Sequence, residues 1–460
     1  MKCASPGLPG SLWESAIPSR RLAFAFTVAV ALLGCSIADR MVGAPAPAPT
    51  AVTDPAPIPS ATFEPTPSRD PIPDMDRIHD QVSSVRGLYP TGPLDRQLLS
   101  PESIRQRVTD DFLGEYTQDD ASDDARLLAL LGLLEPDFDL WTLYADFYEE
   151  QVAGYYDPEV QKMYVVGSTW GGSERLTYAH EYVHALQDQN YDLEEGLGYS
   201  DEGCEEDSER CAAISALIEG DATLAEEQWW RAYSTEQDLK ELSAMIAEYT
   251  GEVFDAAPAY LQQDFLFPYE EGLAFVRSLF RQGGWAAVDA AYLEPPTTTE
   301  HILHPELYGN DDPIPVALPD LGPVLGQGWR ELDADVLGEW FTRLVLDEEI
   351  PEWEAEEAAA GWGGDAYRAW TNDQVDEGVL VLLTVWDVPR DAFEFVEAFG
   401  AYAEWRFGER KTEQAERRWS WQRGAVSLER AYDQTLWILA PDAETAEAIR
   451  DAIEFPLTDR

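Results

Sequence analysis

His180-Glu181-Tyr182-Val183-His184 constrains this chain more than any other feature, because only one local structure lets these side chains act together. On an α-helix, residues four apart lie one turn above one another, so both imidazoles reach one point and Glu181 lies beside it. The flanking residues supply that helix on their own account. Leu176, Ala179, Val183 and Leu186 fall on one face, predicting an amphipathic helix from Glu174 to about Asp188, with Ser173 as its N-cap. Two histidines at this spacing bind one metal ion, and the glutamate between them is placed to take a proton from water. The chain has only five histidines in 460 residues, so the pattern is a costly use of a scarce residue.

An ion bound this way with one position left open for water needs a third protein ligand. No histidine follows at short spacing; His184 is succeeded by Ala-Leu-Gln-Asp-Gln-Asn-Tyr. A second helix is predicted over Arg210 to Trp230. Within it Glu219 interrupts the apolar stretch from Ala216 to Ala222. A carboxylate among apolar neighbours is costly to bury without a cationic partner, and a metal is a good one. Gly220 beside it is read as letting the two helices approach closely. Glu226 and Glu227 stand among polar residues and read as exposed.

An HExxH helix followed about one helix later by a glutamate, with the continuation His184-Ala185-Leu186-Gln187-Asp188, resembles the gluzincin zinc peptidases, the group that includes thermolysin. The resemblance covers roughly residues 150–310. It implies one Zn²⁺ per chain held by His180, His184 and Glu219, with Glu181 as general base and acid in peptide hydrolysis. The pattern departs where the family commonly has an aspartate four residues after the ligand glutamate. Thr223 stands there, leaving Asp221 or Asp188 to orient a ligand histidine. Gluzincins often add a downstream histidine or tyrosine to stabilise the oxyanion. His304, in Glu300-His301-Ile302-Leu303-His304-Pro305, is the first choice, with His301, Tyr308 and Tyr269 behind it. His79 stands alone and reads as a surface residue. Two other functions fit the same motif: an aminopeptidase, and a cell-envelope binding protein that keeps zinc without turnover.

The expected fold is α+β. A hairpin is predicted before the motif helix, from Tyr155-Tyr156 and Met163 to Val166 around the Asp157-Pro158 turn. Its second strand, Tyr164-Val165-Val166, is the expected sheet edge for an extended peptide. Residues 76–150 read as a helical region and 151–330 as the peptidase core, with a third helix over Tyr269 to Gln282 and loop at 293–330. Residues 331–460 read as a smaller α+β lobe: a helix at Leu337–Leu346, a strand at Gly378–Trp386, a helix at Ala392–Trp405, strands at Gly424–Arg430 and Thr435–Leu439, and a helix at Ala443–Ile453. Trp362, Trp370 and Trp386 read as core.

Residues 1–35 read as an address. Arg20 and Arg21 precede an apolar run from Leu22 to Gly34, too short to span a bilayer, and Leu32-Leu33-Gly34-Cys35 resembles the lipobox of bacterial lipoproteins. The resemblance implies acylation of Cys35 and anchorage outside the cytoplasm. Residues 36–75 are rich in Pro and Ala, a composition that favours extended polyproline and reaches on the order of 100 Å if stretched. They read as a stalk. Cys204 and Cys211 flank a short acidic segment, and in an oxidising compartment should pair, contributing about 2–3 kcal/mol. The net charge of −57 argues against nucleic acid as a partner, because phosphate contacts need clustered Lys and Arg. The expected partners are a peptide or protein substrate and, through Cys35, a lipid bilayer.

Overall fold

A computed structural model describes residues 70–456, apart from 101, 104–105, 108–115, 159, 167–169, 415–417 and 422–424, together with Val28–Val30. Cys35, its lipobox and the stalk up to residue 69 lie outside the described residues.

Strand β1 is Val28–Val30. Helix α1, Ile72–Arg86, starts inside the segment read as stalk, since Pro73 sits in its first turn, where a missing N–H costs nothing. Strand β2 (Asp95–Leu99) and helices α2 (Gln118–Leu131) and α3 (Leu140–Gln151) follow. The hairpin falls where the sequence predicts it: β3, Val152–Asp157, pairs antiparallel with β4, Lys162–Val166.

β4 is not an edge, however. β2 pairs with it in parallel, and the sheet order is β1-β3-β4-β2, so β2 covers β4 and β1 covers β3. β2 was hidden from the sequence reading because Asp-Arg-Gln-Leu-Leu has one apolar pair and two charges. β1 runs antiparallel to β3, with Val28 opposite Tyr155.

Helix α4, Gly172–Tyr191, carries the HExxH residues. It starts one residue before Ser173. The N–H of Gly171 donates to Glu174 at 2.8 Å and that of Gly172 to Glu241 at 2.6 Å, so carboxylates, not the serine, satisfy the first donors. Leu176, Ala179, Val183 and Leu186 are all buried, as their spacing requires. Next come α5 (Asp201–Glu206) and α6 (Ser208–Tyr233), stapled by the Cys204–Cys211 disulfide with an S–S distance of 1.99 Å. Helices α7 (Glu236–Glu248), α8 (Glu252–Ala256), α9 (Ala259–Gly283) and α10 (Trp285–Leu293) complete the helical layer. α9 begins ten residues before Tyr269, continuing through Pro268, which from sequence looks like a helix start.

Short helices α11 (Thr299–Leu303) and α12 (Gly322–Leu325) punctuate the expected loop. Then follow β5 (Arg330–Asp335), α13 (Gly338–Asp347), α14 (Glu352–Ala359), β6 (Trp362–Asn372), β7 (Glu377–Trp386), α15 (Pro389–Phe407), β8 (Arg410–Gln414), β9 (Arg418–Trp421), β10 (Ala425–Ala431), β11 (Gln434–Ala440) and α16 (Ala443–Ala452). The strands form one antiparallel sheet in the order β5-β6-β7-β11-β10-β9-β8, and the fold is α+β. Trp362, Trp370 and Trp386 are buried in it. One apolar cluster runs from Leu128 and Leu217 through Trp340 to Phe399 and Trp437, so the helical core and the C-terminal sheet share packing. Among the described residues no helix is long and apolar enough to cross a membrane.

Candidate metal centre

α4 and α6 pack against each other and bring His180, His184 and Glu219 together, with their ligand atoms all within 4.8 Å of one another. His180 Nε2 lies 3.1 Å and His184 Nε2 3.5 Å from Glu219 Oε2. Ligands about 2.0–2.1 Å from a tetrahedral ion stand about 3.3 Å apart, so these separations are those of a Zn²⁺ triad. All three side chains are at most 1% exposed.

The surrounding hydrogen bonds fix which ring nitrogen carries each proton. His180 Nδ1 is 2.9 Å from Glu226 Oε2, a carboxylate that accepts, so the proton is on Nδ1. His184 Nδ1 is 2.8 Å from Gln187 Oε1. The orientation of that amide is set from its other side, where Nε2 donates to the Ile218 carbonyl at 2.9 Å and to Asp221 Oδ2 at 3.0 Å. His184 therefore also carries its proton on Nδ1. Both Nε2 atoms face the Glu219 carboxylate, and His180 Nε2 is within hydrogen-bond distance of it, so a metal bound there would take the place of a proton on that nitrogen. His184 Nε2 and Glu219 Oε1 are buried without a hydrogen-bond partner. The donor set fits Zn²⁺ by element, number and spacing.

The histidine-orienting residues differ from those expected. Asp188 accepts from the Tyr156 hydroxyl at 2.7 Å and does not reach the triad. Asp221 acts at one remove, through Gln187. Glu226, which the sequence reading left on the surface, is 2% exposed and Glu227 fully buried. Seven residues are nearly two full helical turns, so Glu226 lies on the same stripe of α6 as Glu219, and that spacing is the signal that would have found it. Thr223, between them, is buried with an unpartnered hydroxyl. Asp221 is held by Arg86 Nε at 2.5 Å and the Tyr292 hydroxyl at 2.9 Å, and Arg86 also reaches Asp289 at 2.7 Å. The N-terminal helix thus braces the ligand helix from behind.

Gly220 is close-packed, but not against α4. A Cβ there would collide with the backbone of Gly272 on α9, and one at Gly272 with the Ala216 carbonyl. This contact sets Tyr269 beside the triad, its ring centroid 6.4 Å from that of His180. Burial, then the Glu219 and Glu181 carboxylates, push the Tyr269 hydroxyl well above its usual pKa, so it stays a proton donor. Glu181 is fully buried and lies against β3. A Cβ at Gly154 would stand 3.5 Å from Glu181 Cγ and 2.9 Å from Thr177 Cγ2, so the glycine lets the strand pass close over the helix.

The histidines of 300–305 have other partners. His301 Nε2 is 3.0 Å from the Asp311 carbonyl, and His304 Nε2 is 2.9 Å from Glu339 on α13. α11 is fastened to the far end of α6, where Thr299 N and Oγ1 donate to Glu209 at 2.6 and 2.8 Å. Glu209 precedes Glu219 by ten residues, about 15 Å along the helix. His304 is therefore not brought to the triad, whereas Tyr269 is. Tyr308 bonds the Glu294 carbonyl at 2.5 Å. His79 is not a free surface residue either; it stacks on Tyr182 at 3.8 Å and its Nε2 is 2.6 Å from the Tyr178 hydroxyl.

Residues 325–450, which hold the C-terminal sheet, match a family model described as a domain of unknown function, DUF8575. No curated protein matches the chain. No solved structure matches it.

Proposed function

We propose that this chain is a zinc-dependent peptidase of gluzincin type, tethered outside the cytoplasm by a lipid on Cys35. The observation that carries the reading is the convergence of the triad: ligand atoms of His180, His184 and Glu219 lie within 4.8 Å of one another, with Glu226 and Gln187 holding the two Nδ1 atoms and Glu181 beside them. A zinc ion held by His180, His184 and Glu219 supplies Lewis acidity and water activation.

The protein's own residues do the rest. Glu181 accepts a proton from the attacking water and returns it to the leaving amide nitrogen. Tyr269 donates to the oxyanion that develops on the carbonyl, the role expected of His304 from sequence. The substrate lies extended along the side of β3 that β1 occupies here, main chain to main chain, above Glu181, and cleavage before Cys35 would remove β1 from that side. β1 pairs with β3 in that manner, which supports β3 as the receiving strand in place of β4.

The test is metal content and turnover of a mixed peptide library, measured on the purified chain beside Glu181→Gln. One zinc per chain, turnover in the parent and none in the variant are expected. Zinc without turnover in either protein would leave a zinc-containing binding protein, and absence of zinc would refute the reading outright.

A further inference from the structure

A second cluster of ligand-type groups lies away from the triad. Glu300 on α11, Asp311 in the connection that follows and Asp387 just after β7 bring carboxylate oxygens within 4.8 Å of one another. Like charges this close repel, yet no lysine or arginine pairs with any of the three among the described residues. Glu300 is 1% exposed, and its Oε1 is buried with no hydrogen-bond partner. Nearby Glu339, whose other oxygen meets His304, leaves Oε2 buried and unpartnered as well. Glu300 is the buried member of the three, and a buried carboxylate oxygen without a partner calls for a cation or a proton to complete it.

We infer that Glu300, Asp311 and Asp387 form a calcium site that ties the helical core to the C-terminal sheet. The donors are all carboxylate oxygens, with no thiolate or imidazole in the set, which selects a hard cation over zinc. Calcium fits better than magnesium because the ligands come from three separate segments, on a helix, a connection and a strand end. Calcium tolerates such irregular geometry at 2.3–2.6 Å, where magnesium demands a near-ideal octahedron. Asp387 and Asp311 are partly open to solvent, which gives the ion a way in and room for water ligands.

Hydrogen bonds already join these segments, His301 Nε2 to the Asp311 carbonyl among them. Ile314 N donates to the Gly363 carbonyl at 2.6 Å, and a Cβ at Gly364 would collide with the Ile314 backbone. An ion between Glu300, Asp311 and Asp387 would clamp both ends of that connection to β6 and β7. This inference does not depend on the peptidase reading.

The experiment is calorimetric titration of the purified full chain with CaCl₂ and with MgCl₂, together with thermal unfolding in each. The same measurements are made on Glu300→Gln, Asp387→Asn and Glu219→Gln. Expected are one calcium per chain with Kd about 0.1–1 mM, weaker magnesium binding, and a melting temperature that rises with calcium. Glu300→Gln and Asp387→Asn should each weaken calcium at least about tenfold, while Glu219→Gln keeps it, which separates this site from the triad. Asp387 is exposed, so its variant should fold even if Glu300→Gln does not. Absence of calcium binding to the parent would overturn the inference and leave Glu300 simply protonated. So would equal binding by Asp387→Asn, loss of binding in Glu219→Gln, or magnesium binding as tight as calcium.

Discussion

Replacing Arg86 with Met tests whether the N-terminal helix belongs to the working core. Arg86 and Asp221 are both fully buried, and the guanidinium is 2.5 Å from one Asp221 oxygen while its other arm meets Asp289. Met keeps most of the stem volume but leaves Asp221 charged, buried and facing only the neutral donors Gln187 and Tyr292. Breaking a buried pair from one side costs about 3–5 kcal/mol, a large part of a typical total of about 5–15 kcal/mol. At about 2.1 cal/mol/K of unfolding entropy per residue, a 460-residue chain shifts by about 1 °C per kcal/mol, so the melting temperature should fall by about 3–5 °C. The compensating change is Asp221→Asn in the same chain, which removes the stranded charge. The double variant should recover about 2–3 kcal/mol relative to the sum of the single changes. Urea unfolding of the four proteins gives the cycle. A cost below about 1 kcal/mol for Arg86→Met, or no recovery in the double variant, would refute the claim that this pair holds the back of the ligand helix.

Glu226→Gln should leave the fold intact but lower zinc affinity about 10–100-fold, because an amide no longer fixes the His180 tautomer; competition with a chromophoric chelator reads this. Tyr269→Phe should reduce kcat about 10²–10³-fold with KM little changed. His304→Gln should leave peptide turnover near that of the parent, and the reverse order in a steady-state assay would restore the histidine. Burial and the nearby Arg96 charge lower the His79 pKa to about 4 from an ordinary value of 6.5. The folded state thus prefers the neutral ring, and its contribution to stability is present above pH 6.5 and lost as pH falls toward 4. An NMR titration of the His79 ring showing a midpoint near 6.5 would contradict that environment.

The parts of the site that lie within one helix were legible from sequence, because helical spacing fixes which side chains share a face. His180, Glu181 and His184 follow from α4 alone, and Glu219 from the oddity of a carboxylate in an apolar stretch. What failed were readings that needed long-range pairing. β2, three polar residues and two leucines, is invisible until β4 supplies its partner, and with it β4 ceases to be an edge. β6 reads poorly because Gly363-Gly364 and two charges break its alternation, though its strand pairing with β7 is extensive. His304 was favoured for its backbone restraint, a local property, while its real neighbour Glu339 lies 35 residues away. Glu226 reads as exposed from its polar neighbours in sequence, yet it and Glu227 are both buried.

The crossing of α6 and α9 at Gly220 and Gly272 has a consequence for how such a protein can change over time. Each glycine meets main chain, not side chain, so an enlarged residue at either position finds no neighbour able to shrink in return. The spacing between the segment bearing Glu219 and the segment bearing Tyr269 is therefore insulated from drift elsewhere in the core. Volume exchanged among Leu217, Leu273 and Val276 can alter stability without altering that interval. New selectivity would have to be written in the residues lining β3 and the outer rim, with the chemistry-bearing interval carried along unchanged.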